Sequence, residues 1–249
     1  MRFITLLFLL VFCSKLFSQT NFDKEVAATI KSLEQDLIRW RRHLHANPEL
    51  SNREFNTMQY IFDVLAPLPL TIEKGMAKTG VIAVLDTGKP GPVIGVRADI
   101  DALPVKERVK LDFASRVETQ YEGKTVGVMH ACGHDAHTAI LLATAKVMCT
   151  HKDKLKGKIV FVFQPAEEGA PVGEEGGAEL LIKEGLFKKY GIQTMFGLHI
   201  ASGLDAGKLQ YKAGGVMAAS DRLEIKIKGK QTHGSRPWAG IDPVVVSAQ

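Results

Sequence analysis

At 249 residues, with 45% hydrophobic and 24% charged side chains, the chain has an ordinary globular composition, long enough for one sizeable core or for one domain and part of another. Its formal charge of +5 comes from 32 basic against 27 acidic residues, and the excess is spread along the chain. Aromatic residues are only 7%, with no interleaving of aromatic and basic side chains, so the balance gives no basis for a nucleic-acid partner.

The first residues read as an export leader. Arg2 is followed by the apolar run Phe3 to Phe12 and a polar stretch from Ser18, too short a run to span a bilayer comfortably. Cleavage is placed near Ser18 to Thr20, so residues 1–19 are assigned as signal peptide. The mature chain is expected to be periplasmic or secreted, with no stable membrane span. Cys132 and Cys149 remain, and two cysteines make no disulfide framework.

From Asp23 to about His45, Val26, Ile30, Leu33, Leu37 and Trp40 recur at helical spacing, and Pro48 ends the segment. A second helix is expected over Asn52 to Leu65, stopped by Pro67 and Pro69. Val81 to Leu85 and Val93 to Val96 read as strands, the second running into Arg97, Asp99 and Asp101. Asp135 is placed as the cap of a helix from Ala136 to about Cys149, with Cys149 buried in it. Ile159 to Phe163 is a fully apolar strand ending at Gln164-Pro165-Ala166-Glu167-Glu168-Gly169, and a glycine-rich loop leads into a helix near Ala178 to Ile182. Met195 to Leu198 is one more strand, closing on His199. Apolar strands between helical segments predict an α/β fold: three layers, with a central mixed, mostly parallel sheet covered on both faces. After Gly215 the pattern changes. Leu223, Ile225 and Ile227 alternate with charged residues as in a strand with one wet face, and Asp242-Pro243 opens a helix. The expected organisation is signal over 1–19, one α/β domain over 20–214, and the start of a smaller α+β domain over 215–249 that looks truncated.

In such sheets ligands gather beyond the carboxyl ends of strands, where Asp99, Glu167, Glu168 and His199 fall. The densest cluster is Met129-His130-Ala131-Cys132-Gly133-His134-Asp135-Ala136-His137. A thiolate and an imidazole separated by one glycine can converge on a borderline-soft ion such as zinc. His137, one helical turn from His134, reads as a third ligand or as a group supporting one. The alternative is a cysteine and histidines used for packing and helix capping. Glu167 and Glu168 can divide the work of a hydrolase if one binds metal and the other faces the bound water. The alternative there is a solvated acidic loop, and His199 alone reads as structural. No phosphate-binding or dinucleotide glycine loop is present, and Ser235 beside His233 lacks a nucleophile elbow. Cys132 as a thiol nucleophile with His134 as base is a weaker reading than metal-assisted hydrolysis.

The chain resembles the M20 family of metallopeptidases, in its amidohydrolase branch of auxin-conjugate hydrolases, hippurate hydrolases and N-acyl-amino-acid deacylases. The resemblance rests on His43 to Ser51, Arg97 to Pro104, Met129 to Thr138, Gln164 to Gly169, Gly197-Leu198-His199, and His233 to Pro237 leading to Asp242-Pro243, in family order. It implies that Cys132, His134, Glu168 and His199 are metal ligands, with Cys132 bridging two divalent ions (zinc, manganese, cobalt or nickel). It implies Glu167 as general base, Asp99 as a carboxylate supporting the centre, and His233 as an oxyanion donor from a small lid or dimerisation domain, in some relatives across a homodimer interface. Related peptidase branches carry a ligand histidine at the position of Arg97, and His134 is expected to supply the missing imidazole. His43 and His45 are read as framework beneath the site. The implied substrate is an N-acyl amino acid or related small conjugate, with a dipeptidase or carboxypeptidase as runner-up and a non-catalytic metal-binding or interaction protein as the alternative of another class. A further ligand histidine follows the small domain in the family and no residue here fills it, so the 249-residue chain is expected to be inactive or nearly so.

Overall fold

The apolar runs over 81–85 and 159–163 become neighbouring strands inside a five-stranded sheet, and their alternation decides what covers each face. The computed structural model describes residues 21–218 and 223–249, so the expected leader over 1–19 lies outside the described residues. Cα packing divides the chain into Met1–Ser202 and Gly203–Gln249.

In the first unit, helix α1 (21–32) is separated from α2 (Glu34–Ala46) by a turn at Leu33, so the helix expected over 23–45 is broken in two. Helix α3 spans Phe55–Leu65. It starts three residues later than expected, because Asn52 takes a left-handed φ of 62°. Strands β1 (Thr71–Met76), β2 (Gly80–Asp86) and β3 (Val93–Asp99) follow, then a hairpin of β4 (Glu118–Tyr121) and β5 (Lys124–Gly127). Helix α4 (His134–Thr150), strand β6 (Lys158–Gln164), helices α5 (Gly177–Lys183) and α6 (Leu186–Tyr190), and strand β7 (Thr194–Gly197) complete the unit.

The sheet order is β1-β2-β6-β3-β7. β1 with β2 and β2 with β6 are antiparallel, and β3 with β6 and β3 with β7 are parallel. The sheet is mixed as expected but has no parallel majority. The departure comes from β1 and β2, which are joined by the tight turn at Ala77 and Lys78 rather than by a crossover helix. Odd positions Val81, Ala83, Leu85, Phe161 and Phe163 pack with Trp40, Ile61, Leu65, Leu141 and Leu142 of α2, α3 and α4. Even positions Ile82, Val160 and Val162 pack on the other face with Leu181 and Leu186 of α5 and α6. The period of two in each strand therefore produces the three layers. Cys149 is half-buried against the first of these clusters. No described helix is long and apolar enough to cross a membrane.

In the second unit, α7 (Pro243–Ser247) starts at Asp242, whose carboxylate accepts the Val244 N–H at 2.8 Å. The strand expected over 223–227 is not formed. Leu223 and Ile225 are exposed, and among the described residues this unit has one isolated bridge, Lys230 with Ile241. Alternation marks which face a strand would bury, but a strand also needs a neighbour for its backbone.

One buried group makes the fold sensitive to pH. Glu54, immediately before α3, is fully buried between neutral partners: its Oε2 accepts from Thr79 Oγ1 at 2.6 Å and its Oε1 from the Ala166 N–H at 2.8 Å. Burial pushes its carboxyl from 4.5 up to about 7 against these hydrogen bonds, aided by the charge of Asp101. A carboxyl raised in the folded state contributes stability that is complete below its unfolded value and is lost as pH rises through the folded one, here from 4.5 to about 7. The interval corresponds to on the order of 3 kcal/mol. Glu54→Gln is therefore expected to be progressively favoured over the wild type as pH rises through this window. Urea unfolding of both proteins on either side of the window checks it, and a pH-independent difference refutes it.

Candidate metal centre

Register builds the site. Asp99 lies opposite Gln164 where β3 and β6 run parallel, and Arg97 lies opposite Gly197 where β3 and β7 do. The three strands thus release the chain at one sheet edge, and Asp99 with Asp101, Glu167 with Glu168, and His199 emerge side by side. Helix α4 delivers His134 to the same edge. Its N-cap is Gly133, left-handed at φ 92°, so Asp135 is not the cap that was expected. Asp135 instead points beneath the site, where its Oδ2 meets His45 Nδ1 at 2.8 Å and Arg41 Nε at 2.8 Å. His45 also reaches Glu107 Oε1 at 3.1 Å, which gives it the framework role expected of it. His43 stacks on Tyr60.

His134 is fully buried, and its Nδ1–H donates to the Asp101 carbonyl at 2.9 Å, beside Asp101 Oδ1 at 3.2 Å. In the neutral ring that leaves Nε2 as the free acceptor. It has no hydrogen-bond partner and lies 3.7 Å from each of Asp99 Oδ2, Glu167 Oε2 and Glu168 Oε1. This distance is too long for a direct hydrogen bond, yet about that between two ligands sharing one cation at roughly 2 Å each. On the open side, Cys132 Sγ lies 3.3 Å from His199 Nε2, and His199 Nδ1–H is turned away onto the Ile200 carbonyl at 2.6 Å. Cys132, His134 and His199 offer ligand atoms within 4.8 Å of one another, as do His134, Glu167 and Glu168. The donor set and the orphaned nitrogen fit a bound divalent ion.

The protonation pattern has the same cause. Burial, then the charge of Glu168 and its hydrogen bond, then Glu167 and Asp99, push the Cys132 thiol up to about 12. Burial raises Glu167 above the usual carboxylate range, with His134 opposing and Asp99 and Glu168 adding to it. Burial alone depresses His134, but the Asp101 hydrogen bond and the charges of Asp99, Asp101 and Glu168 raise it overall. The pocket attracts positive charge.

Asp99 and His137 adjoin this cluster. Asp99 Oδ1 accepts from His137 Nδ1–H at 2.6 Å, and His137 Nε2 accepts the Ile200 N–H at 2.9 Å. Both nitrogens of His137 are thus engaged, and it holds the backbone beside His199 rather than offering a lone pair. Arg97 bridges Asp99 Oδ2 at 2.8 Å and Gln164 Oε1 at 2.9 Å. His233 lies in the second unit, where its Nδ1 is hydrogen-bonded to Ser235 Oγ at 2.8 Å. A cavity of about 950 Å³ between Pro48 and the β4 strand is lined by His43 and Ser51 but by none of Cys132, His134, Glu167, Glu168 and His199.

Residues 95–248 match Peptidase family M20/M25/M40. The chain belongs to this family. It is 42% identical over 226 residues to the N-acyl-L-amino acid amidohydrolase of Geobacillus stearothermophilus, covering 91% of this chain and 57% of that protein. It is 39% identical over 221 residues to thermostable carboxypeptidase 2 of Saccharolobus solfataricus, covering 88% and 53%. Among solved structures it is similar to the Bacillus subtilis YXEP protein, a dinuclear metal binding peptidase from the M20 family, with a TM-score of 0.59 and 41% identity over 68% of this chain and 43% of that one. The chain spans about half the length of the curated relatives it matches.

Sequence reading passed over Asp101 and Ser51. Ser51 Oγ donates to Asp101 Oδ2 at 2.8 Å, and the same oxygen accepts the Glu168 N–H at 3.0 Å. The signal was the spacing of Asp99 and Asp101: two residues apart at a strand end, both side chains leave on one face.

Gly133 is where the Cys132–His134 loop meets the His199 loop. A Cβ there would overlap Ile200 Cδ1, at a φ that alanine adopts only under strain. Gly133→Ala is expected to cost about 1–3 kcal/mol in urea unfolding and to weaken Co²⁺ binding by displacing Ile200 and its neighbour His199. Unchanged stability together with unchanged affinity refutes the coupling.

Proposed function

We propose that the protein hydrolyses the amide bond of an N-acyl amino acid or related small conjugate at a two-metal site. The observation that carries this reading is the buried His134 Nε2, unpartnered and equidistant from three carboxylates, in a chain of this family. Cys132, His134, Glu168 and His199 are the residues that would hold the ions. The Cys132 thiolate favours zinc, with manganese, cobalt and nickel as the other candidates. Divalent cations at such a centre polarise the scissile carbonyl and make bound water a nucleophile at neutral pH.

Glu167 takes one proton from the attacking water. Its raised carboxyl suits a group that must keep that proton and then return it. The water oxygen bonds to the carbonyl carbon, the C–N bond breaks, and Glu167 delivers the proton to the departing amine, leaving acid and amine. Asp101 keeps the His134 proton on Nδ1 and Asp99 keeps the His137 proton on Nδ1, so each ring presents its Nε2 as an acceptor. His233 is the proposed oxyanion donor, a role worth on the order of 3 kcal/mol. The same reading includes export through residues 1–19, supported by their basic-then-apolar order. It also includes homodimer contact through the second unit, supported by its exposed Leu223, Ile225 and Val244.

The test is a screen of the gene product carrying this chain with N-acetyl and N-benzoyl amino acids against Zn²⁺, Mn²⁺, Co²⁺ and Ni²⁺. Glu167→Gln is expected to keep its metal and lose about 100- to 10,000-fold in kcat. Preferential release of C-terminal residues from unblocked peptides selects the carboxypeptidase reading instead. Metal uptake without turnover of any substrate leaves a metal-binding protein and overturns the hydrolase.

A further inference from the structure

The segment 51–54 has no assigned chemistry, yet it reaches the loop that carries both site glutamates. Glu54 Oε1 accepts the Ala166 N–H at 2.8 Å, and Ser51 holds Asp101, whose Oδ2 accepts the Glu168 N–H at 3.0 Å. Two buried carboxylates therefore grip alternate amides, 166 and 168, on either side of Glu167. Ala166 sits at φ 50°, in the left-handed region that a residue with a Cβ occupies only when its surroundings impose it. This turn redirects the chain leaving β6 so that Glu167 and Glu168 both come within 3.7 Å of His134 Nε2. The grip is continued on the far side of the loop. Asn52 Nδ2 donates to the Glu175 carbonyl at 3.0 Å, and Arg53 pairs with Glu174.

Placing a carboxyl in this position is costly. Glu54 is fully buried, and its two partners beyond its own backbone are a threonine hydroxyl and a backbone amide. An apolar residue would pack there without that desolvation cost, but would leave the Ala166 N–H unpaired in the interior.

We propose that Glu54 is a positioning residue: its carboxyl holds Ala166 in the left-handed turn that presents Glu167 and Glu168 to His134, so it sets the carboxylate half of the metal centre without touching it. The proposal rests on the metal-centre reading above. It distinguishes two halves of the site, because Cys132 and His199 stand on loops that Glu54 does not touch, with the Glu168 hydrogen bond to Cys132 as the contact between the halves.

The test is Co²⁺ titration of the protein, following total affinity and, separately, the thiolate-to-cobalt charge-transfer band that reports Cys132. Hydrogen exchange at the Ala166 amide is measured in parallel. Glu54→Leu is expected to lower Co²⁺ affinity by about tenfold or more while the thiolate band persists, and to unprotect the Ala166 amide. Glu54→Gln can still accept the Ala166 N–H, with the Thr79 hydroxyl reversed to accept from the new amide. It is expected to bind Co²⁺ as the wild type does. A merely structural role would lower the melting temperature without this pattern of selective loss and rescue. Folded Glu54→Leu with wild-type affinity overturns the proposal, as does loss of the thiolate band together with the affinity. If Glu54→Leu does not fold, Thr79→Val decides: removal of the hydroxyl on the other oxygen is expected to weaken Co²⁺ binding with the band retained, and wild-type affinity overturns the proposal. Wild-type protein that takes up no Co²⁺ overturns the metal-centre reading itself, a result distinct from a wild type that binds and a Glu54→Leu that binds equally well.

Discussion

Like charge crowded around one imidazole is the constraint on which the rest of this unit depends. Asp99 and Asp101, both buried, and Glu167 and Glu168, both exposed, all come to His134, and such a set needs donors, solvent or cations to answer it. The fold supplies the donors with little redundancy. Asp99 has His137 and Arg97, and Asp101 has Ser51, the Glu168 amide and His134 Nδ1. What remains unanswered converges on His134 Nε2, and that remainder is what a bound cation neutralises.

The supporting layers are arranged to keep this crowd from relaxing. Beneath α4, His45 lies between Asp135 and Glu107 with Arg41 alongside. The Asp135 hydrogen bond, against burial and with help from Glu107, raises the imidazole above its ordinary range. A buried network of this kind contributes little net stability, because desolvation offsets the Coulomb gain, but it fixes the N-terminus of α4 in one place. At the other end of the site, Ile200 packs against Gly133 and its N–H donates to His137, so the thiol loop and the His199 loop are in direct contact. Ser51 and Glu54 do the same for the glutamate loop. Residues that supply no ligand atom thus hold the loops that carry the donors.

The match to Peptidase family M20/M25/M40 agrees with this geometry, and the two relatives described act on chemically related bonds. An N-acyl amino acid and the C-terminal end of a peptide both present an amide carbonyl beside a free carboxylate.

Several features were legible in the residues themselves. The apolar runs at 81–85 and 159–163 announced strands, the prolines after Leu65 stopped a helix, and Cys132, His134, Glu167, Glu168 and His199 stood out as candidate groups in loops, with their separate roles implied only by the family resemblance. These are local properties, set by side-chain periodicity and by the backbone limits of proline and glycine. The direction of β1 and β2 was not legible, nor the turn at Leu33, nor the failure of 223–227 to pair, because each depends on which segment lies alongside. The same holds for function. Sequence supplied a list of possible ligands and left His137 undecided between ligand and support. Only the folded chain showed both its nitrogens occupied, and only there did Asp101, Ser51 and Glu54 acquire roles, since hydrogen-bond geometry across 33 to 112 residues of separation is a property of packing, not of order along the chain.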